Sequence, residues 1–201
     1  MRKSVQRPRR ESRTESEPFH YSSSTLKHFF ENLEHRNGGC LLDVGPILRD
    51  NIDFLSHRVR RLYVCDVLRI LIENQKANLP ADKYWRHLDY PPETFDGILL
   101  WNLVDRLDTP EVKGLVERCY GMMKSGGVVM LFTLGNRVSP SGQEAFVIRE
   151  EFQLFARGQQ YPHLPARQRQ NRDFLRLLNP FTPAKSLIYR NGIREFLFQR
   201  G

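Results

Sequence analysis

The sequence predicts an α/β domain built on a doubly wound, mostly parallel seven-stranded sheet that ends in a C-terminal antiparallel hairpin. Three observations carry this. Short, continuous apolar runs stop at Gly, Asp or Asn, the signature of strands buried on both faces of a parallel sheet. Segments with helical periodicity separate the runs, and strand–helix alternation implies right-handed crossovers. Near the C-terminus two strand-like runs flank Asn191-Gly192, the strongest short hairpin signal.

Residues 1–22 are rich in Arg, Ser and Glu and poor in apolar residues until Phe19, so they cannot repay their ordering entropy and read as a disordered basic tail. The domain is expected over residues 23–201. It opens with a helix in which Leu26, Phe29, Phe30 and Leu33 share one face, Ser23 or Ser24 caps the start, and Asn37-Gly38-Gly39 ends it. Strands follow at Cys40–Val44, Arg61–Cys65, Tyr84–Leu88, Asp96–Trp101, Gly127–Thr133, Ser186–Arg190 and Ile193–Gln199. The intervening helices run from Asp50 to His57, Val67 to Asn78 and Pro110 to Met123. The last of these has Thr109 as cap, proline in its first turn and Glu111 at the positive end of its dipole.

With 201 residues, 40% of them hydrophobic and 27% charged, the chain has material for one real core and is neither fibrous nor wholly disordered. It has no apolar run long enough to span a bilayer and no hydrophobic stretch near Met1 fit for a signal peptide, so a soluble, cytoplasmic protein is expected, with no membrane partner. Cys40, Cys65 and Cys119 all lie in apolar settings and form no Cys-x-x-Cys pair. They read as buried thiols rather than a disulfide framework or zinc knuckle. The net charge of +8 divides unevenly: +3 over residues 1–24, −1 over 25–136 and +6 over 137–201. A basic tail and C-terminal third are compatible with a nucleic-acid partner, but the interspersed glutamates Glu11, Glu15 and Glu17 dilute the field, and this reading is not favoured.

In an open α/β sheet ligands bind beyond the carboxyl ends of the strands, at the switch point beside the first strand. That directs attention to Gly45, Asp66, Asp89 and Trp101-Asn102. Gly45 opens the turn from strand to helix, and Asp66 ends the next strand 21 residues later, the separation expected of a carboxylate holding ribose hydroxyls. Singly, Gly45 is equally an ordinary tight turn and Asp66 a helix cap; jointly they point to a nucleoside ligand.

The runs Leu42-Asp43-Val44-Gly45, Tyr63-Val64-Cys65-Asp66, Leu88-Asp89 through Phe95-Asp96, the strand end Trp101-Asn102, and Met123-Lys124-Ser125-Gly126-Gly127 resemble the successive motifs of class I S-adenosylmethionine-dependent methyltransferases. The resemblance covers about residues 25–201. It implies a Rossmann-like methyltransferase fold with S-adenosylmethionine lying across the strand ends. By motif, Gly45 would adjoin the methionine part, Asp66 the ribose, Asp89 and Tyr90 the adenine, and Trp101 and Asn102 the methyl-donor side, with Asp43, Pro46, Arg49 and Val67 also counted among the cofactor-binding residues.

One departure stands out. Where that family has Gly-x-Gly-x-Gly, this chain has Gly45-Pro46-Ile47-Leu48-Arg49, so side chains at Ile47 and Arg49 are expected to narrow the space for the methionyl carboxylate unless Arg49 pairs with it. The same departure argues against a nicotinamide enzyme, whose pyrophosphate needs close backbone approach. The alternative to an enzyme is a non-catalytic relative that keeps the fold as a binding scaffold. Methyl transfer is an in-line displacement in which positioning supplies much of the acceleration, so no dedicated acid or base is required and no catalytic residue stands out. The six histidines show no metal-ligand spacing. Between Gly135 and Asn179, Phe146, Phe152, Phe155 and Tyr161 interleave with Arg149, Arg157, Arg167, Arg169, Arg172 and Arg176. This pattern reads as amphipathic helices that bury aromatics and solvate arginines, in preference to a nucleic-acid face or a site for a planar anionic acceptor. Asn171 to Leu178 reads as one such helix.

Overall fold

The computed structural model describes residues 20–77, 85–134, 144–158, 167–190 and 192–201. In chain order these form β1 (His20–Ser22), α1 (Ser24–Glu34), β2 (Cys40–Asp43), α2 (Arg49–Ser56), β3 (Arg61–Val64), α3 (Val67–Lys76), β4 (Phe95–Trp101), α4 (Thr109–Met122), β5 (Met123–Thr133), β6 (Glu144–Arg149), β7 (Gln153–Gly158), α5 (Asn171–Leu177), β8 (Thr182–Ile188) and β9 (Arg194–Gln199).

The central sheet has six strands in the order β3-β2-β4-β5-β9-β8. The first four run parallel, and β9 and β8 close the sheet antiparallel as the Asn191-Gly192 signal predicted, Asn191 itself lying outside the described residues. The predicted seventh strand at Tyr84–Leu88 is corrected. Arg86–Leu88 form a 3-10 turn, because Leu88 is turned into the core while His87 and Arg86 stay exposed, a three-residue rather than a two-residue rhythm. Tyr84 lies outside the described residues.

Both faces of the sheet are covered. Leu42, Val44, Ile98, Leu100, Val129, Leu131, Phe196 and Phe198 meet α3, α4 and α5 on one side. On the other, Leu41, Leu99, Val128, Met130, Phe132 and Leu197 meet α1, Leu55 of α2 and a second, three-stranded antiparallel sheet, β1-β7-β6. Each fully buried Leu or Phe here contributes about 1.5–3 kcal/mol. The helix α1 buries Leu26, Phe29, Phe30 and Leu33 as its periodicity requires, and Ser23 is its cap, its hydroxyl accepting from the Leu26 amide at 2.9 Å. At α4 the cap is Asp108 rather than the expected Thr109. Its carboxylate accepts from the Glu111 amide at 2.8 Å while Glu111 accepts from the Asp108 amide at 2.7 Å, a reciprocal pairing a threonine one residue later cannot make.

Two further expectations give way. His20–Ser22, assigned to the tail, pair with β7 as β1, because Tyr21 is buried against the domain; residues 1–19 lie outside the described residues. Residues 144–158 are a β-hairpin instead of an amphipathic helix: β6 is buried on both faces from Ala145 to Ile148, a short continuous apolar run that the scattered arginines disguise. Arg149 and Arg157 are exposed, as expected, and the residues 171–177 are helical. Cys40, Cys65 and Cys119 are buried free thiols. Among the described residues no helix is long and apolar enough to cross a membrane.

Candidate functional site

Because β3 lies on one side of β2 and β4 on the other, the chain leaves β2 in one direction and returns in the other, and the carboxyl ends of β2 and β4 splay into a crevice. Asp43 closes β2 at its floor. It is buried, and its Oδ1 accepts from the Gly45 amide at 2.9 Å and from the Trp101 indole Nε1–H at 2.5 Å. Burial pushes the Asp43 carboxyl up to about 6, against the pull of those two hydrogen bonds and with a small upward push from the Asp66 charge.

Trp101 reaches Asp43 through an irregularity in β4. The pairing with β5 shifts register between Leu99 and Trp101, and Trp101 has a φ of 50°, left-handed backbone that a bulky residue rarely adopts. The bulge turns the indole over the next strand's end. A Cβ built on Gly45 would stand 2.4 Å from the indole Cδ1 and 2.5 Å from Nε1, so glycine is required here by the tryptophan facing it.

The loop after Gly45 behaves unlike its expectation. Ile47 is 55% exposed, and the Arg49 side chain is 92% exposed, its closest partner being Asp53 at 3.7 Å within α2. Neither side chain narrows the crevice, and Pro46, just before them, is half-buried. The narrowing comes from Trp101, across the sheet. The reason is local: Arg49 is the first residue of α2, and its direction on that helix carries it to solvent.

Asp66, at the end of β3, is buried, and its Oδ1 accepts from the Arg69 amide at 3.1 Å, capping α3. Val67 is packed in the core under α3. Asp89 is exposed, while the half-buried Tyr90 sets its ring edge-on to Tyr63 at 5.5 Å and to Phe95 at 5.0 Å. Asn102 is buried directly after Trp101, with its carbonyl accepting from the Asp105 amide at 3.2 Å. The structure therefore gathers Asp43, Gly45, Trp101 and Asn102 at one strand-end crevice with Asp66 at the neighbouring strand end. It leaves Arg49 and Asp89 in solvent.

No sequence-family model matches the chain, and no curated protein matches it in sequence. Its architecture does match solved structures. The 1,6-didemethyltoxoflavin-N1-methyltransferase of Burkholderia thailandensis, solved with 1,6-didemethyltoxoflavin and S-adenosylhomocysteine bound, aligns over 88% of this chain and 78% of its own, at 11% identity and a TM-score of 0.52. An S-adenosylmethionine-dependent methyltransferase of Mesorhizobium loti aligns over 81% of this chain and 91% of its own, at 13% identity and a TM-score of 0.52. The fold is that of the class I methyltransferases.

Against that fold's nucleoside cofactor the site divides. At the end of β3 the buried Asp66 carboxylate is engaged with the first turn of α3. Over Gly45 the buried indole occupies the space directly above the backbone, so nothing can lie there while Trp101 stands where it does. No group of three or more His, Cys, Asp or Glu suited to a metal occurs among the described residues.

Several residues around this methyltransferase-fold crevice carry no sequence signal. Asn51 of α2 is buried and clamps β6, its Nδ2 donating to the Phe146 carbonyl at 2.8 Å and its Oδ1 accepting from the Ile148 amide at 2.8 Å. Arg169 grips the turn after β4 by donating to the Leu107 carbonyl at 2.7 Å and the Val104 carbonyl at 2.5 Å, and Arg194 holds the Arg169 carbonyl in turn. Asp105 is buried in that turn. Burial raises its carboxyl above the ordinary range, opposed by hydrogen bonds from Thr133 and the Leu134 amide and by the Arg169 charge. Glu195, wholly buried on β9, accepts from Tyr21 and Tyr189, each at 2.9 Å, and burial together with the Glu195 charge pushes the Tyr21 hydroxyl far up. Only tertiary contact reveals these roles; the sequence offers single polar residues at unremarkable spacings.

Proposed function

We propose that the chain is an S-adenosylmethionine-dependent methyltransferase with an acceptor yet to be defined. One observation carries this reading: Asp43 with Gly45, and Asp66, stand at the carboxyl ends of adjacent strands beside the switch point of the methyltransferase fold, the arrangement from which a nucleoside can be held. In this reading Asp66 holds the ribose, and Asp43, Gly45, Pro46 and Asn102 border the methionine half. S-adenosylmethionine, when bound, supplies an electrophilic methyl group. What this chain's residues contribute is placement: the buried Asn102 and the Arg169-braced turn present a fixed wall on the acceptor side.

A second reading, a non-catalytic relative using the fold as a scaffold, is favoured by the indole over Gly45. Calorimetric titration with S-adenosylmethionine and S-adenosylhomocysteine separates the two. Saturable one-to-one binding of either is the outcome expected of the enzyme, and the absence of binding at millimolar ligand is that of the scaffold. The exposed Arg149, Arg157, Arg167, Arg172 and Arg176 do not by themselves favour a nucleic-acid acceptor, since exposed arginines on helices and hairpins are an ordinary solvated surface.

A further inference from the structure

We propose that Trp101 is the specificity gate of the nucleoside site: its indole takes the place of a ligand's amino-acid tail over Gly45 and must swing away before a tailed nucleoside binds, whereas a nucleoside without the tail binds past it. The inference rests on the cofactor reading above.

Four features of the structure converge on it. The indole lies directly on the glycine backbone, 2.4 and 2.5 Å from the point a Cβ would occupy, so nothing larger than a hydrogen separates ring from main chain. Its polar tie is to Asp43 alone among the hydrogen bonds given for it, and Asp43 keeps the Gly45 amide at 2.9 Å when the indole leaves. A ligand N–H can replace the indole N–H, so opening leaves no orphaned buried carboxylate. The backbone of Trp101 is held at φ 50° beside a bulge, and residues kept in sparsely populated conformations cluster at sites where a switch is needed. Finally, the packing around the buried indole is not complete. The indole borders an apolar cavity with Leu26, Leu99, Met130, Phe132 and Leu154, and its aromatic neighbour Phe132 meets it edge-on at 6.0 Å. The loop side chains that could have obstructed the site, Ile47 and Arg49, face solvent. The obstruction is therefore one side chain, held in place by one exchangeable hydrogen bond.

The test uses S-adenosylhomocysteine as the tailed ligand and adenosine as the tailless one. Calorimetry on the full chain is expected to show that Trp101→Ala tightens S-adenosylhomocysteine binding by at least about tenfold while leaving adenosine within about twofold of the parent. The chain has two tryptophans, so Trp85→Phe makes Trp101 the sole indole emitter. In that variant, emission should shift as S-adenosylhomocysteine saturates and stay fixed with adenosine. This second measurement keeps Trp101 in place and so stands even if Trp101→Ala fails to fold. Equal S-adenosylhomocysteine affinity in both proteins with unmoved emission overturns the gate while leaving the cofactor reading intact. Adenosine binding without S-adenosylhomocysteine binding in every variant also overturns it, since another group then blocks the tail. Failure of both ligands in every variant overturns the cofactor reading and the gate together.

Discussion

The two flanks of β2 differ. Toward β3 the strand end is regular: β2 and β3 pair in unbroken register, and Asp66 makes the turn into α3 with its carboxylate on the Arg69 amide. Toward β4 the neighbour carries a bulge, a left-handed tryptophan and an indole laid across Gly45. One flank ends in a carboxylate that caps the following helix, and the other is filled by an indole from the neighbouring strand. The loss of glycines from the loop after β2 is therefore not what closes the site. Side chains at Ile47 and Arg49 are accommodated by pointing outward, and the closing group comes from a strand on which the glycine pattern has no bearing.

The largest effect that sharpens this contrast is in the pH dependence of stability. The Asp43 carboxyl titrates near 6 in the fold against 3.8 for an ordinary aspartate. Between those values the folded state binds more protons than the unfolded one, so this group's contribution is fully present below about pH 4 and is lost as pH rises through about 6. The difference between the parent and Asp43→Asn in urea unfolding at pH 4 and pH 7 should reach at most about 3 kcal/mol, from about two pKa units at 1.36 kcal/mol each. A pH-independent difference breaks the account of Asp43 as a desolvated acid. Next in size, Gly45→Ala drives a methyl into the indole and should cost about 1–3 kcal/mol of stability, as overpacking does. Measured against Trp101→Ala alone, the same glycine substitution in the Gly45→Ala, Trp101→Ala double variant should cost little. Additive losses in thermal unfolding would show that the indole does not rest on the glycine.

On the regular flank, Asp66→Ala should lower adenosine affinity about 10- to 100-fold, the equivalent of about 1.5–3 kcal/mol for hydrogen bonds to a charged group. Its stability cost should be about 1 kcal/mol from the lost cap. Unchanged affinity in calorimetry would reduce Asp66 to a cap and erase the distinction between the flanks. The smallest effect belongs to Arg49. Arg49→Ala removes an exposed pair at 3.7 Å and should change stability by less than about 0.5 kcal/mol and leave ligand affinity untouched. A measurable loss of S-adenosylhomocysteine affinity would return Arg49 to the site.

Much of the frame was legible because it is written in local pattern. Runs such as Cys40–Val44 and Asp96–Trp101 are apolar on both faces, Leu26, Phe29, Phe30 and Leu33 repeat at helical spacing, and Asn191-Gly192 marks the hairpin between β8 and β9. The strand ends followed from the frame, so Asp43, Gly45, Asp66 and Trp101 could be pointed to before the structure. What Trp101 does there could not. Its direction depends on a register shift against β5 and a positive φ, neither of which a non-glycine residue announces. The hairpin β6–β7 escaped for a related reason. Its buried run, Ala145 to Ile148, is short, and the chain turns at Glu151 and Phe152, two successive left-handed residues that carry Phe152 between Phe30 and Phe54. The seventh strand failed because Trp85 and Leu88 are both buried three residues apart, a spacing that a short apolar segment shares between strand and tight helix.

The clamp made by Asn51 has a bearing on the company this protein keeps. A sheet's outermost strand offers bare amides and carbonyls to any extended chain that meets it, and such strands recruit foreign partners and seed aggregates. In the small sheet β6 is outermost on one side, and the primary amide of Asn51 meets the Phe146 carbonyl and the Ile148 amide as a further strand would. One side chain thus counterfeits a neighbouring peptide unit and withdraws that stretch of β6 from self-association. An alanine there would leave two orphaned backbone groups on a hydrophobic hairpin, and the harm would first be seen in solubility rather than in any assay of binding.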